Sequence, residues 1–201
     1  GGDGYLGWPV AMFLSKNNYD VLIIDDYSKR KICKKLGIKS LCPVKKLDKR
    51  VSSWNKISKN KIKYEIQNLR DYEKSKPIFN KFQPETVIHL AEQPSAPYSM
   101  MSYEAASFTL KNNLETTLNL AYLVNNLDTK AHIIKLGTMG EYGTPNIDIE
   151  EGFINIRHKN REDKFLFPRK GGSLYHTTKI QDTDLLYFYA RAWQLRVTDL
   201  M

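Results

Sequence analysis

Tyr175 and Lys179, in the run Ser-Leu-Tyr-His-Thr-Thr-Lys, stand four residues apart, and a helix would put both on one face. A free phenol has a pKa of about 10 and is a poor base at neutral pH. An ammonium one helical turn away stabilises the phenolate and lowers that value. Such a tyrosine can take a proton from a substrate hydroxyl while hydride leaves the same carbon. The pattern alone occurs in many helices, so its weight depends on what accompanies it. Thr138 follows the apolar stretch 131–136 and Gly137, where its hydroxyl could bond the same substrate oxygen. His176 is either a second proton carrier or a side chain pointing elsewhere, because helix neighbours diverge. Glu141 is a candidate general acid or base, or a partner for a nearby hydroxyl.

A hydride needs an acceptor, and the first residues suggest one. Gly1, Gly4 and Gly7 open an amphipathic segment, residues 8–16. Glycines there let the backbone turn tightly against a pyrophosphate seated at a helix N-terminus. Asp25 ends an apolar run at about the ~20-residue spacing where a carboxylate accepts hydrogen bonds from an adenosine ribose. An acid there repels a 2′-phosphate, so NAD is preferred over NADP, a preference that Lys29 and Arg30 soften.

The elements that must position these groups alternate strand and helix, which implies an α/β fold with a Rossmann-type, doubly wound parallel sheet. Strands are predicted over 21–25, 61–66, 86–90, 131–136 and 196–200, and helices over 8–16, 71–82, 103–127 and 173–193. Segments 27–60 and 152–170 break the rhythm, and the second reads as a hairpin near the site. Asn112 and Asn113 are poor interior helix residues, which points to a polar task for at least one. His89 sits in an apolar strand and reads as a satisfied core residue. We expect residues 1–201 to be one NAD-binding domain truncated at both ends. A first strand would precede Gly1, and a substrate-binding region would follow Met201.

Composition excludes several classes. The net charge of +9 invites a nucleic-acid reading, but 14 of the 31 Lys and Arg fall in mixed sequence between Lys29 and Lys63, without a binding motif. A solvated basic face is expected instead, so no nucleic acid is assigned as a partner. No apolar run approaches the roughly 20 residues that cross a membrane, so no membrane insertion is expected. Cys33 and Cys42 lack metal-site spacing and read as reduced thiols in a cytoplasmic setting, or plastid stroma in a photosynthetic eukaryote. No metal is expected.

The stretch Leu136 to Gly152, LGTMGEYGTPNIDIEEG, resembles the active-site segment of the UDP-sulfoquinovose synthases within the extended short-chain dehydrogenases. The similarity extends through GGDGYLGWPVAMFLSKNNYDV, EQPSAPYSM, KNNLETTLNL and SLYHTTK. It implies contacts to NAD from Tyr5, Leu6, Asp25, Asp26, Tyr27, Ser28, Lys29, Asn68, Asn112, Tyr175 and Lys179. It also implies that Thr138, Met139 and Gln93 lie by the sugar. Sugar 4,6-dehydratases carry Thr-Asp-Glu where this chain has Thr138-Met139-Gly140, which argues against an ordinary dehydratase. Pro94 departs from the family's expected Arg between Gln93 and Ser95, and Asn68-Leu69 stands where Asp-Ile is expected. The implied reaction converts UDP-glucose and sulfite to UDP-sulfoquinovose. It runs by transient C4 oxidation, loss of water across C5–C6, sulfite addition and hydride return. A UDP-sugar 4-epimerase and a degenerate NAD-binding module are the alternatives, and a homodimer is compatible with all three.

Overall fold

In the computed structural model, which describes residues 1–150 and 152–201, strands and helices alternate along the chain. Helix α1 (Gly7–Lys16) leads into β1 (Val21–Asp25), α2 (Ser28–Lys35), α3 (Leu47–Ile57) and β2 (Ile62–Ile66). Then come α4 (Tyr72–Phe82), β3 (Thr86–His89), the single turn α5 (Ala96–Ser99), α6 (Tyr103–Asn125) and β4 (His132–Leu136). A 3-10 turn at Met139–Glu141 precedes the hairpin β5 (Phe153–His158) and β6 (Arg161–Leu166), followed by α7 (Leu174–Trp193) and β7 (Val197–Leu200).

The parallel strands form two blocks. β1 pairs with β2, Val21 opposite Ile62, and β4 lies between β3 and β7, with Ile133 opposite both Val87 and Val197. Covering helices start where the sequence supplies an acceptor for unpaired amides. Asp71 caps α4, Ser102 caps α6 and Ser173 caps α7, each through a side-chain oxygen. One core joins Leu120, Leu123 and Val124 of α6 to Ile133 of β4 and Leu186 of α7. A second gathers Ala11, Val21, Ile23, Leu47, Val51 and Ile62 around β1.

Segment 27–60 differs from its expected irregularity, because it holds α2 and α3. Helix α2 buries none of its residues, whereas α3 sets Leu47, Val51 and Trp54 at i, i+4 and i+7 against the core around β1, a short stripe set among lysines. The hairpin forms as expected, with Phe153 opposite Leu166. It does not line the cavity described below. Its Phe153 packs on Tyr187 of α7 at 5.4 Å between ring centres, and the chain leaving it is tied by Lys170 N to the Glu141 carbonyl at 3.0 Å.

Candidate active site

The glycine turn sits against the C-terminal ends of β1 and β3. A Cβ on Gly1 would lie 2.2 Å from the Leu90 carbonyl oxygen, and one on Gly7 only 2.5 Å from the Gly1 oxygen. Close backbone approach therefore demands glycine at both positions. Asp25 ties the turn to β1, accepting from Asp3 N at 2.9 Å and Tyr27 N at 2.8 Å. Asp3 in turn holds Arg30, whose Nη2 donates at 3.0 Å, and also Arg50. Arg30 reaches on to the carbonyls of Val44 (3.0 Å) and Lys45 (2.9 Å). Its guanidinium is thus engaged by Asp3 and two carbonyls, although Arg30 still lines the cavity together with Lys29, Lys45 and Arg50. Asp26 accepts from the backbone and hydroxyl of Ser28.

At the other wall, α7 and the end of β4 bring up the tyrosine, lysine and threonine. Asn113 Nδ2 donates to Thr178 Oγ1 at 3.0 Å, and its Oδ1 accepts from Gln93 N at 2.9 Å, so α6 fixes both α7 and the loop after β3. Ser99 Oγ accepts from Tyr175 N at 3.1 Å. Thr138 Oγ1 accepts from Gly140 N at 3.2 Å. Gly1, Gly4, Tyr5, Leu6, Gly7, Asp25, Asp26, Ser28, Lys29, Asn68, Gln93, Asn112, Thr138, Tyr175 and Lys179 all line one cavity of about 970 Å³. That volume lies near the upper end of about 300–1,000 Å³ for ligand pockets.

Several expectations need correction. Tyr27 does not line the cavity: its hydroxyl accepts from Leu47 N at 3.2 Å and its ring joins the core beside α3. Met139 is 69% exposed and also stands outside the lining. His176 bonds Ser173 Oγ at 3.1 Å and packs so closely on Gly140 that a Cβ there would meet its ring at 2.2 Å. Its i+1 position turns it away from the cavity face that Tyr175 presents. Glu141 is fully buried off the cavity, 3.2 Å from Lys135 Nζ and 3.6 Å from Arg169 Nε, so it is a structural counter-ion rather than an accessible acid. Gln93 lines the cavity, but its amide is occupied by Ser95 and Thr109.

The Tyr175 phenol is pushed up to about 12, first by desolvation and then by the negative charges of Glu92, Glu141 and Asp182. The lysine that was expected to lower it is hydrogen-bonded to Glu92. Asp182, fully buried with both oxygens unpartnered, is raised to about 8 by desolvation and by Glu92. A carboxyl raised on folding contributes stability that is complete below its unfolded pKa, near 3.8, and lost as pH rises through about 8. Asp182→Asn, which mimics the protonated form, should therefore melt a few degrees higher than wild type above pH 8 and nearly level with it at pH 4. Thermal scans at the two pH values check this. His89, buried beside Thr117 Oγ1 at 3.1 Å, has its pKa lowered by desolvation and stays neutral in the core, as its strand position implied.

Sequence reasoning missed Glu92, Phe108, Thr116 and Arg50 in the lining, together with Ile32, Cys33 and Val44 from the basic segment. Glu92 lies at the head of the stretch EQPSAPYSM, a signal that could have found it.

A glycine turn at a helix N-terminus, an acid-ended strand and a Tyr/Lys helix around one parallel-sheet cavity define an α/β dinucleotide-fold protein. Residues 1–201 match the NAD dependent epimerase/dehydratase family, and the chain belongs to it. Its curated relatives include the chloroplastic UDP-sulfoquinovose synthase of Spinacia oleracea, 43% identical over 200 residues, which cover 100% of this chain and 42% of that protein. The UDP-sulfoquinovose synthase of Sulfolobus acidocaldarius is 40% identical over 200 residues, covering 99% of this chain and 51% of that one. These relatives bear out the resemblance read from the sequence, and the chain spans about half of their length or less. Among solved structures, UDP-glucose 4-epimerase from Brucella ovis in complex with NAD superposes with a TM-score of 0.69 at 19% identity, covering 99% of this chain and 49% of that one. The Thermotoga maritima UDP-glucose 4-epimerase with UDP-glucose gives 0.69 at 23%, covering 99% and 52%. At those identities the likeness is one of fold.

Proposed function

We propose that this chain carries the dinucleotide-binding and proton-transfer part of an enzyme that makes UDP-sulfoquinovose from UDP-glucose and sulfite. The observation that carries the reading is that Tyr175, Lys179 and Thr138 line the same cavity as the glycine turn and Asp25. The residues present fit NAD. The turn has no room for a Cβ at Gly1 or Gly7, the N-terminus of α1 faces the cavity, and Asp25 and Asp26 disfavour a 2′-phosphate. When bound there, NAD would supply the acceptor and later the donor of a hydride at the sugar's C4.

The chain's own residues do the rest. Thr138 holds the C4 hydroxyl oxygen and Tyr175 removes its proton. A ketone at C4 acidifies the C5 hydrogen, so the C6 hydroxyl can leave as water across C5–C6. Sulfite adds as hydrogensulfite across C5=C6, its sulfur bonding C6 and its proton going to C5. The proton returned by Tyr175, with the hydride at C4, restores the C4 hydroxyl. With its hydride returned, the dinucleotide needs no external reductant.

Gly7→Ala tests the cradle. The added methyl meets backbone rather than a yielding side chain, so we expect a loss of about 1–3 kcal/mol of stability and of NAD retention. Thermal melting and chromatography of bound nucleotide read these out. Pro94, where the synthases are expected to carry Arg, favours a 4-epimerase as the second reading, because epimerisation needs no anion at C6. Mass spectrometry of products from the full-length protein separates the two. UDP-glucose with sulfite should give a sulfonated nucleotide sugar, whereas UDP-galactose formed without sulfite would overturn the synthase reading.

A further inference from the structure

Glu92 stands at the end of the β3 segment, with a side chain only 7% exposed, and lines the cavity. One carboxylate oxygen bonds the Lys179 ammonium, and the other is buried without any hydrogen-bond partner. Nothing in the proton transfers proposed above uses it. We propose that Glu92 is a positioning residue for that chemistry, anchoring the Lys179 ammonium in the cavity that Tyr175 also lines and governing how readily the phenol gives up its proton. The inference rests on Tyr175 being the base, as proposed above.

The surroundings leave Glu92 as the dominant negative charge. From β3 itself comes His89, whose Nε2 is 3.5 Å from Glu92 Oε1 and which desolvation keeps neutral. From α7 come Lys179, Tyr175 and Asp182, the last 4.0 Å from the Lys179 nitrogen. Helix α6 adds only the uncharged Thr117 beside His89. Lys135 of β4 stands 3.2 Å from Glu141 of the 3-10 turn and 3.0 Å from Asp199 of β7, and Arg169 lies 3.6 Å from Glu141. Glu141 still adds to the charge facing the phenol, after Glu92. Asp182, raised to about 8 by burial, is ionised where the phenol titrates and opposes the phenolate as well, after Glu92 and Glu141. Glu92 thus acts on the phenol in two ways of the same sign. Its charge opposes a phenolate directly, and its hold on Lys179 ties up the cation that would stabilise one.

The test titrates Tyr175 in the full-length protein, with tyrosine labelled at Cζ with carbon-13 and the resonance assigned by its loss in Tyr175→Phe. Glu92→Gln should lower the Tyr175 midpoint by about one pH unit. The acid limb of turnover should move the same way, with KM for UDP-glucose unchanged. Glu92→Asp is the milder variant, with a smaller shift of the same sign. An unmoved midpoint in whichever variant folds overturns the inference, since a purely structural carboxylate would change stability and not the phenol. A lowered midpoint without turnover of any UDP-sugar would sustain it and defeat the functional reading instead.

Discussion

Tyr175→Phe should lower turnover of UDP-glucose by about a hundredfold to ten-thousandfold, the span attributable to one positioned acid–base group. The loss should fall on kcat, because the phenol meets the sugar through a proton that moves in the transition state, while the ring that shapes the cavity wall remains. NAD retention should fall far less than turnover, since the glycine turn and Asp25 that would hold the dinucleotide are unaltered. The wild-type pH profile carries a further expectation. In this structure burial and Glu92 hold the phenol at about 12, so its phenolate is scarce at neutral pH. Turnover should rise with pH towards the phenol's pKa in the loaded site, and Tyr175→Phe should remove that limb. Steady-state kinetics from mildly acidic to alkaline pH, with nucleotide content measured alongside, decide the matter. Turnover equal to wild type would falsify the assignment of the base.

The second large effect concerns Glu141, whose role in this structure is mechanical. Lys135 of β4 is fully buried and donates to Thr183 Oγ1 at 2.6 Å and to Asp199 Oδ2 at 3.0 Å, besides facing Glu141. Four elements are joined there: β4, the turn that follows it, α7 and β7. Glu141→Ala leaves the ammonium less fully compensated in a dry site. Removing one partner of such a buried pair costs about 3–5 kcal/mol. For a chain of this size that corresponds to a fall in Tm of about 6–20 °C. Activity should fall in parallel with the folded fraction, because the network holds the turn carrying Thr138. A general acid would behave in the opposite manner, with turnover collapsing at nearly unchanged Tm. Melting curves and kcat on one preparation separate the two, and Glu141→Gln should give a smaller loss of the same kind.

Local signals were legible where chemistry and geometry lie close in sequence. The Tyr175/Lys179 spacing and the glycine turn depend on neighbours within a few residues. The hairpin 152–170 declared itself by alternation. What stayed hidden depends on contacts between distant residues. In His-Ile-Ile-Lys-Leu the two-residue strand period sets Lys135 on the same buried face as Ile133, yet its acceptor Asp199 is 64 residues away. Glu92 and Lys179 meet across 87 residues, so the pairing that counters the expected lowering of the phenol could not be read from spacing. Glu141 and His176 looked catalytic because they flank Thr138 and Tyr175 in sequence. Sequence adjacency in the turn and on the helix turns both away from the cavity. In the basic segment α2 buries nothing that could mark it, while the stripe Leu47, Val51 and Trp54 of α3 was present at helical spacing but short and set among lysines.

The most direct test is a structure of the full-length protein with NAD and UDP-glucose bound. The account predicts one sugar hydroxyl, that of C4, within about 2.6–3.2 Å of both Tyr175 Oη and Thr138 Oγ1. A glucose ring seated elsewhere, or turned so that neither oxygen reaches that hydroxyl, would contradict it.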